Sequence, residues 1–235
     1  SWVVKTDMPT PRYGLTSSEV NGRIYVFGGC YNTTYLATVE EYDPGTDSWL
    51  SKTDMTVERS GLASATVGGK IYVIGGKNNT GYLNTVEEYD PDGDSWLTKT
   101  SMPTERAYLT VSAINGKIYG IGGWNDSCTE FPLAVIEEYD PSSDTWSTKT
   151  DMIAISYSAS AVVGNRIYII GGSLGISAQN IEKTIEYDPF LDSHISRQDM
   201  PTPRMALTAS AANGKIYVIG GDMDGPLSIV EEFTP

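Results

Sequence analysis

Short apolar runs alternate with polar turn residues along the whole chain, and one six-residue pattern returns five times. It reads Ile-Tyr-Val-Phe-Gly-Gly at residues 24–29, and its other copies begin at Ile71, Ile118, Ile167 and Ile216. The glycine pairs begin at residues 28, 75, 122, 171 and 220, so successive copies lie 47, 47, 49 and 49 residues apart. A period of this length indicates a repeat architecture in which each copy contributes one supersecondary unit.

The second copy shows which elements one unit contains. A run of small and β-branched residues, Ser60–Val67, is followed by Gly68-Gly69 and by the apolar run Lys70–Gly76. The two glycines supply the positive φ angles of a two-residue hairpin turn. After a variable loop, strand patterns recur at Thr85–Tyr89 and Ser95–Thr100. Four short antiparallel strands in each unit are typical of a propeller blade.

The repeat units fill the chain, which predicts a single all-β domain: a five-bladed β-propeller of four-stranded antiparallel blades. The blades are expected at about residues 12–53, 59–100, 106–150, 156–198 and 204–235, with residues 1–6 added to the last. Trp2 stands at a fourth-strand position, and the chain stops after Glu231-Glu232-Phe233, a third-strand position. The N-terminal strand is therefore predicted to complete the C-terminal blade and close the ring, which would remove the open sheet edges.

The charge balance narrows the class of partner. The chain has 30 acidic and 16 basic residues and a net charge of −14. Nucleic acids and anionic membranes both attract an excess of Lys and Arg, so neither partner is expected. No apolar run reaches the 18 residues of a membrane span, so no membrane insertion is expected. We expect a monomer. The compartment stays open, with an extracellular or cell-surface location preferred over the cytoplasm.

The recurring residues resemble the Kelch repeat: a Gly-Gly pair, then Glu-Tyr-Asp-Pro, then a Trp seven residues after the Tyr, as at Gly75-Gly76, Glu88–Pro91 and Trp96. The resemblance covers the whole chain. It implies a β-propeller, although Kelch propellers usually have six or seven blades, so five is a departure. It also implies a binding module that joins a protein or peptide through one face, since most members act in this way. Some members are enzymes, including a copper-radical oxidase and sugar-acid epimerases.

The fourth unit departs from the pattern. Its segment Met152–Ser156 lacks the Pro and Arg of the other units and is one residue shorter, and His194 replaces the repeat Trp. We interpret this as relaxation of one blade, with a functional gap in the ring as the alternative. The cysteines, Cys30 and Cys128, lie in corresponding loops of the first and third units, and a disulfide between them is not expected.

The loops after the glycine pairs vary in length and content, whereas the turns on the opposite face are nearly invariant. Repeat proteins vary where they recognise ligands, so we place the binding face there. The resemblance implies ligand contacts just after the glycine pair and just after the repeat arginine. Together with their loop neighbours, the predicted ligand-binding residues are Tyr31, Asn32, Tyr35, Asn79, Tyr108, Trp124, Asn125, Asp126, Met205, Asp222 and Asp224. Trp124, the only Trp outside the repeat position, is the preferred anchor, unless it packs the loop onto its own blade.

Catalysis is not expected. The only histidine, His194, occupies a packing position, and one His cannot assemble a copper site of the oxidase kind. No metal site, catalytic residue or cofactor is predicted. The recurring Glu-Glu pairs are interpreted as ion-pair partners of the repeat arginines.

The resemblance also bears on the charge of the partner. Some Kelch propellers hold their ligand with basic residues, and only Lys77 corresponds to these residues here. An acidic peptide therefore fits poorly, and we expect a basic or neutral partner. The alternatives are a carbohydrate-binding or carbohydrate-active propeller, or a structural module of a larger cell-surface or scaffold protein.

Overall fold

The computed structural model describes residues 3–175 and 180–235, and the regular elements of this part of the chain are all β-strands. The chain divides into two compact units, Ser1–Ala107 and Tyr108–Pro235. Each unit is built from successive antiparallel sheets with the same strand connections. The all-β class and the five-blade β-propeller arrangement that the sequence predicts are therefore confirmed.

The first unit contains blades 1 and 2. Blade 1 consists of four strands with a two-stranded ribbon inserted before the third: β1 Thr16–Val20, β2 Arg23–Phe27, the ribbon β3 Cys30–Tyr31 and β4 Thr34–Tyr35, then β5 Val39–Asp43 and β6 Ser48–Lys52. Blade 2 repeats this order: β7 Ala63–Val67, β8 Lys70–Ile74, the ribbon β9 Lys77–Asn78 and β10 Gly81–Tyr82, then β11 Val86–Asp90 and β12 Ser95–Lys99.

The second unit contains blades 3, 4 and 5. Blade 3 is formed by β13 Thr110–Ile114, β14 Lys117–Ile121, β15 Ile136–Asp140 and β16 Thr145–Thr148. Blade 4 is formed by β17 Ala159–Val163, β18 Arg166–Ile170, β19 Thr184–Asp188 and β20 Ser193–Ser196. Blade 5 has three strands among the described residues: β21 Thr208–Ala212, β22 Lys215–Ile219 and β23 Val230–Phe233.

The predicted closing strand falls at the N-terminus. Ser1 and Trp2 lie outside the described residues, and residues 3–6 belong to no strand of the described structure. Closure of the ring by this strand, and the single domain that it implies, stay predictions.

The hairpin turns form as the turn residues predict. Asn21 and Gly22 between β1 and β2 have φ angles of 55° and 79°, and Gly68 and Gly69 between β7 and β8 have 59° and 76°. Two consecutive positive φ angles match the twist of the flanking strands. The small side chains of the first strands then let neighbouring blades approach within hydrogen-bonding distance. Ser64 Oγ lies 2.8 Å from Ser18 Oγ in the first unit, and Ser160 Oγ lies 2.8 Å from Ser112 Oγ in the second.

Aromatic side chains pack the blades against each other, as their fixed offsets predict. The Trp96 ring lies 5.8 Å from that of Phe27 in blade 1 and 4.9 Å from that of Tyr89 in its own blade, measured between centroids. The Trp96 indole nitrogen donates a hydrogen bond to the Thr53 carbonyl oxygen at 2.9 Å, so the ring also fastens the connection between the two blades. Buried aromatic residues with a satisfied polar atom contribute strongly to such contacts.

A tyrosine–aspartate hydrogen bond fixes each Asp-Pro turn. Tyr89 Oη donates to Asp94 Oδ1 at 2.7 Å, and the Thr53 backbone N–H donates to the same oxygen at 2.9 Å. Burial, followed by the hydrogen bond to Asp94, raises the pKa of Tyr89 well above its ordinary value. Burial disfavours the charged form of Asp94, but the hydrogen bonds from Tyr89 and Thr53 outweigh this effect and lower its pKa. The carboxylate therefore joins one blade to the segment that precedes it.

In blades 1, 2 and 5 the repeat arginine is the ion-pair partner of the first glutamate of the Glu-Glu pair. In blade 2 the Arg59 guanidinium pairs with the Glu87 carboxylate, and both side chains are 0% exposed. Arg59 Nη1 also donates to the carbonyl oxygens of Gly75 at 3.2 Å and Thr85 at 3.0 Å. The same ion pair recurs as Arg12–Glu40 and Arg204–Glu231. The second glutamate of each pair instead faces a lysine, as in Lys99–Glu88. The interpretation of these carboxylates as structural is supported by this geometry.

Blade 4 replaces the buried ion pair with two apolar residues. The carbonyl oxygen of Ile155 accepts a hydrogen bond from Gly123 N at 2.8 Å, just as the carbonyl oxygen of Arg59 accepts one from Gly29 N at 2.8 Å. Ile155 therefore stands at the arginine position. Ile185 stands at the position of Glu87, and both isoleucines are buried in one core cluster. The relaxation predicted from the sequence is thus a joint replacement that keeps the core filled.

Candidate binding face

Four of the five glycine pairs lead into a loop that is tied, in the described structure, to the segment at the repeat-arginine position. Isolated antiparallel bridges join Tyr13 to Cys30 and Ser60 to Lys77 in the first unit, and Ser156 to Ser173 and Met205 to Asp222 in the second. The residues just after the glycine pairs and just after the arginine positions therefore share one surface within each unit. We call this surface, formed by the post-glycine loops and the post-arginine residues, the loop face.

In the first unit the loop face carries exposed tyrosines. The ribbon β3–β4 turns at Asn32, whose φ is 54°, and Tyr31 is half exposed beside it. The Asn32 carbonyl oxygen accepts hydrogen bonds from Tyr13 Oη at 2.9 Å and from Cys30 Sγ at 3.4 Å. Tyr35 is partly buried at the base of the same ribbon. The backbone of Asn32 is thus used to hold the loop, while the Tyr31 and Asn32 side chains stay exposed to solvent.

The second loop is held by an asparagine that was not among the predicted site residues. Asn78 Oδ1 accepts hydrogen bonds from Thr80 N at 2.8 Å and from Thr80 Oγ1 at 2.7 Å, which closes an Asx turn. The predicted residue Asn79 is exposed at the tip of this turn. Lys77 Nζ lies 6.0 Å from the Tyr82 ring centroid, at the outer limit of a cation–π contact.

The predicted residues of the third loop fall into two groups, one buried and one accessible to solvent. Asn125 is buried, and its Oδ1 accepts hydrogen bonds from Ser127 N at 3.0 Å and Ser127 Oγ at 2.6 Å. This oxygen is therefore used inside the loop. Trp124 is partly exposed, and Asp126 is exposed. Phe131, which the sequence analysis did not select, is 64% exposed. The third loop also touches the fourth, since a methyl group added at Gly175 would lie 2.5 Å from the Glu130 carbonyl oxygen.

Two tyrosines stack on the loop face of the second unit. The rings of Tyr108 and Tyr157 lie 4.3 Å apart between centroids at an interplanar angle of 21°. Both residues have left-handed backbone conformations, with φ angles of 58° and 55°. Gly14 and Gly61 hold this position in blades 1 and 2, with φ angles of 63° and 65°. A bulky residue with a positive φ is an uncommon and strained arrangement.

The fifth loop contributes acidic groups. Asp222 is partly buried and its backbone bridges to Met205 and to Pro226. Asp222 Oδ1 accepts a hydrogen bond from Gly225 N at 3.4 Å, and the Asp222 carbonyl oxygen accepts one from Asn180 Nδ2 at 3.2 Å. Asp224 is exposed at the loop tip with a φ of 59°. Asp224 is thus the more accessible of the two predicted carboxylates. Met205 is partly buried.

The repeat arginines add no accessible positive charge to the loop face. The side chains of Arg59 and Arg204 are 0% exposed and face glutamates. Within the described residues, no cluster of three or more His, Cys, Asp or Glu side chains is arranged to hold a metal ion. Cys30 and Cys128 are both free thiols. Nor does the described part of the chain contain a helix with the length and apolarity to cross a bilayer.

Sequence reasoning missed Tyr13, Tyr157 and Phe131. Tyr13 directly follows Arg12, as the selected Met205 follows Arg204, so the repeat alignment already contained the signal. Tyr157 occupies the same repeat position as Tyr108 once the one-residue deletion before it is taken into account. Phe131 lies in the longest loop, and no repeat signal distinguishes it.

Comparison with known proteins agrees with this architecture. The solved structure of YjhT superposes with a TM-score of 0.87 at 15% identity, covering 100% of this chain and 85% of that one. At this identity the likeness concerns the fold. Human Kelch repeat and BTB domain-containing protein 13 is 33% identical over 76 residues, which cover 32% of this chain and 17% of that protein. The F-box/kelch-repeat protein At1g67480 of Arabidopsis thaliana is 35% identical over 63 residues, covering 27% and 16%.

The match therefore spans about a sixth of the length of these curated relatives. A family model describes a larger part of the chain. The model of the KLHDC2/KLHL20/DRC7 Kelch-repeats domain matches residues 1–172, which is more than half of the sequence. With its repeated glycine pairs, tyrosines and tryptophans in blade-forming sheets, the chain belongs to the Kelch-repeat family.

Proposed function

We propose that this chain is a non-catalytic binding module that recognises a protein or peptide segment through the loop face. The Kelch family suggests a protein-interaction module, and the relatives' names describe Kelch-repeat proteins, which is consistent with a role other than catalysis. A fold does not by itself fix a function, so the proposal depends on the residues of the face.

The observation that carries the proposal is the strained tyrosine stack. Tyr108 and Tyr157 hold left-handed conformations that Gly14 and Gly61 adopt without strain at the same repeat position. A non-glycine residue in this region costs about 1–3 kcal/mol, and such strain is typically found at binding sites and active sites. The stacked rings remain partly exposed, so they present a rigid aromatic surface to a ligand. Aromatic anchors of this kind dominate the binding energy of interfaces.

The exposed charges of the loop face in the second unit favour a basic or neutral ligand. Asp126 and Asp224 are exposed on the same face of the second unit, whereas Arg204 is buried against Glu231. With a net charge of −14, the chain attracts cationic segments and repels acidic ones. Trp124 adds an aromatic ring that a peptide side chain could cover. The preferred ligand is therefore an extended peptide with Lys or Arg beside an apolar or aromatic residue.

The test uses a variant that should remove the rings without weakening the fold. In the double variant Tyr108→Gly/Tyr157→Gly, both positions receive the residue that blades 1 and 2 have there. We expect its stability to be unchanged or about 1 kcal/mol higher because backbone strain is relieved. Binding to members of a displayed library of random linear peptides, selected on the wild-type chain, should fall at least tenfold. Phe190→Ser, which removes an exposed aromatic ring from an Asp-Pro turn, is the matched control.

The outcome separates ligand classes. Selection of basic or neutral peptides, lost in the double variant and retained in Phe190→Ser, supports the proposal. A glycan array probed in parallel gives the competing result, since binding to sugars and not to peptides would assign the stack to carbohydrate recognition. Peptide binding that survives in the double variant would remove the tyrosines from the site. Trp124→Ala then tests whether the third loop carries the binding by itself.

A further inference from the structure

Three of the hairpin turns consist of the dipeptide Asn-Gly. They are Asn21-Gly22 between β1 and β2, Asn115-Gly116 between β13 and β14, and Asn213-Gly214 between β21 and β22. The asparagine φ angles are 55°, 52° and 52°, and the glycine φ angles are 79°, 75° and 75°. All six residues are exposed, and a methyl group added at any of these glycines would meet no other part of the described chain within 4 Å. The three turns therefore share one backbone conformation and the same access to solvent.

An exposed Asn-Gly dipeptide carries its own reaction. The glycine backbone nitrogen attacks Cγ of the asparagine, and the side-chain nitrogen leaves as ammonia together with the proton of the glycine N–H. Water then opens the resulting cyclic imide at either carbonyl carbon, which gives aspartate or isoaspartate. Glycine permits the attack because it has no Cβ to obstruct the close approach. The attacking nitrogen has to give up its proton, so a group that holds this proton slows the reaction.

A carboxylate holds this proton in the first of the three turns. Glu19 Oε1 accepts a hydrogen bond from Gly22 N at 2.6 Å. At the same register position of the other two hairpins stand Ala113 and Ala211, whose side chains have no acceptor. A nearby negative charge and a hydrogen bond to the protonated form both disfavour the loss of a proton. The three turns thus differ in chemistry at the one atom that starts the reaction.

We propose that Asn115 and Asn213 are sites of spontaneous conversion to aspartate and isoaspartate, and that Glu19 protects Asn21 from the same reaction. Each turn has to open transiently before the side chain reaches the backbone nitrogen. This cost is common to the three turns because their backbone conformations agree. The first turn has an additional cost, since the hydrogen bond to Glu19 must also break. The inference does not depend on the function proposed for the loop face.

The conversion would change the charge and the geometry of the blade end that lies away from the loop face. The turn at Asn115 leads into β14, and the glycine pair Gly122-Gly123 follows the other end of that strand. Each conversion adds one negative charge to a chain whose net charge is −14. Isoaspartate also adds a methylene group to the main chain of a two-residue turn, whose paired positive φ angles match the strand twist. Aged chains should therefore lose stability and keep the loop face.

The test follows the three sites in the whole chain during incubation at mildly alkaline pH. Peptide mapping by mass spectrometry measures the conversion at each site, and enzymatic methylation of isoaspartate identifies the product. Asn115 and Asn213 should convert about tenfold faster than Asn21, as expected for the loss of a hydrogen bond to a charged group. Asn165 is the internal control, since Arg166 follows it and a side chain at that position obstructs the attack. Asn165 should stay unconverted while Asn115 reacts.

Two reciprocal variants test whether the carboxylate causes the difference. Glu19→Ala gives the first turn the residue of the other two and should speed the conversion of Asn21 about tenfold. Ala211→Glu, at an exposed position, places a carboxylate three residues before Gly214 and should slow the conversion of Asn213 about tenfold, with Asn115 unchanged. Thermal melting of freshly prepared samples checks that both variants are folded before incubation.

Other outcomes would overturn the proposal. Equal rates at the three sites, or rates that neither variant changes, would remove the protective role of Glu19. Faster conversion at Asn21 than at the other two sites would mean that the carboxylate acts as a base. A synthetic peptide of residues 111–119 gives the rate without the hairpin. Conversion of this peptide with none at Asn115 or Asn213 in the chain would show that the folded turns are protected without a carboxylate.

Discussion

Blades 2 and 4 fill the same two buried positions with different chemistry, an ion pair in blade 2 and two apolar side chains in blade 4. In blade 2 the space beneath the glycine pair is filled by Arg59 and Glu87, which are fully buried and paired. In blade 4 the same two positions hold Ile155 and Ile185, also buried. Removing one member of a buried ion pair leaves an unpaired charge, whereas replacing both by apolar residues is often neutral or stabilising. The two blades therefore suggest that the positions must change together, and that their filling matters more than their charge.

The largest effect is expected from breaking the pair in blade 2. Glu87→Ala leaves the Arg59 guanidinium buried without its counter-ion and should lower the free energy of unfolding by about 3–5 kcal/mol. Thermal and urea unfolding followed by circular dichroism would measure the change. Glu58→Ala, at an exposed residue of the same segment, should stay within about 0.5 kcal/mol of wild type. Equal effects of the two substitutions would contradict the ion-pair account.

A smaller effect is expected when blade 2 is given the chemistry of blade 4. The double variant Arg59→Ile/Glu87→Ile removes both charges at once and should unfold within about 1.5 kcal/mol of wild type. Part of the residual cost arises because Arg59 also donates to the Gly75 and Thr85 carbonyl oxygens, which isoleucine cannot do. A double-mutant cycle with the two single variants measures the coupling directly. Additive single effects would show that the two positions are independent.

A modest gain should follow when blade 4 is given the tryptophan of blade 2. His194 Nδ1 is buried with no hydrogen-bond partner, whereas Trp96 Nε1 donates to Thr53 O. His194→Trp should stabilise the chain by about 1 kcal/mol and raise Tm by about 2–4 °C. His194→Phe supplies a ring without a donor, so it should gain less. A fall in Tm with Trp would show that the fourth blade has reshaped this position around the histidine.

The smallest difference between blades 2 and 4 is expected in the pH dependence of stability, because both blades keep the tyrosine–aspartate hydrogen bond. Burial works against ionisation of Asp94 and Asp192, but hydrogen bonds from Tyr89 and Tyr187 and from the backbone outweigh it and lower both pKa values from 3.8. A lowered carboxyl pKa stabilises the fold above the unfolded-state pKa, and this contribution is lost as pH falls through the folded-state value. Asp94→Asn and Asp192→Asn should therefore reduce the acid sensitivity of stability by similar amounts. Free energies of unfolding measured between pH 2 and pH 7 would show whether the effects of the two substitutions differ.

The loss of stability at alkaline pH depends on the same hydrogen bond. Burial, then the bond to the aspartate, raises the pKa of Tyr89 and Tyr187 from 10.0. A raised tyrosine pKa stabilises the fold at low pH, and this contribution is lost as pH rises above the unfolded-state value. Tyr89→Phe and Tyr187→Phe should thus both weaken the decline of stability above pH 10. Unfolding midpoints measured on either side of pH 10 would check this.

The repeat pattern was sufficient to predict the strands, the hairpin turns and the face that carries the variable loops, because each depends on local chemistry. Gly68-Gly69 and Asp90-Pro91 specify their turns wherever they occur. The pairing of Ile155 with Ile185 was not recognised, since the deletion before Ile155 hides its alignment with Arg59. Asn125 was chosen for its type, but whether a side chain faces a ligand or its own loop depends on the loop's path, which no repeat specifies. The left-handed backbone of Tyr108 does belong to the repeat, since Gly14, Gly61 and Ala206 share it at the same position, and it was missed because no single residue type marks that position.

The aspartate that ends each Asp-Pro turn affects how such a chain can gain further repeats. Asp94 accepts from Thr53, in the repeat before it, and Asp192 accepts from Thr150 in the same way. Every such repeat thus carries one acceptor for its predecessor and one donor for its successor. A tandem duplication of the coding segment would insert a repeat whose two contacts are already supplied, with no compensating substitution in either neighbour. The contact that joins adjacent blades is also one that gene duplication can copy intact.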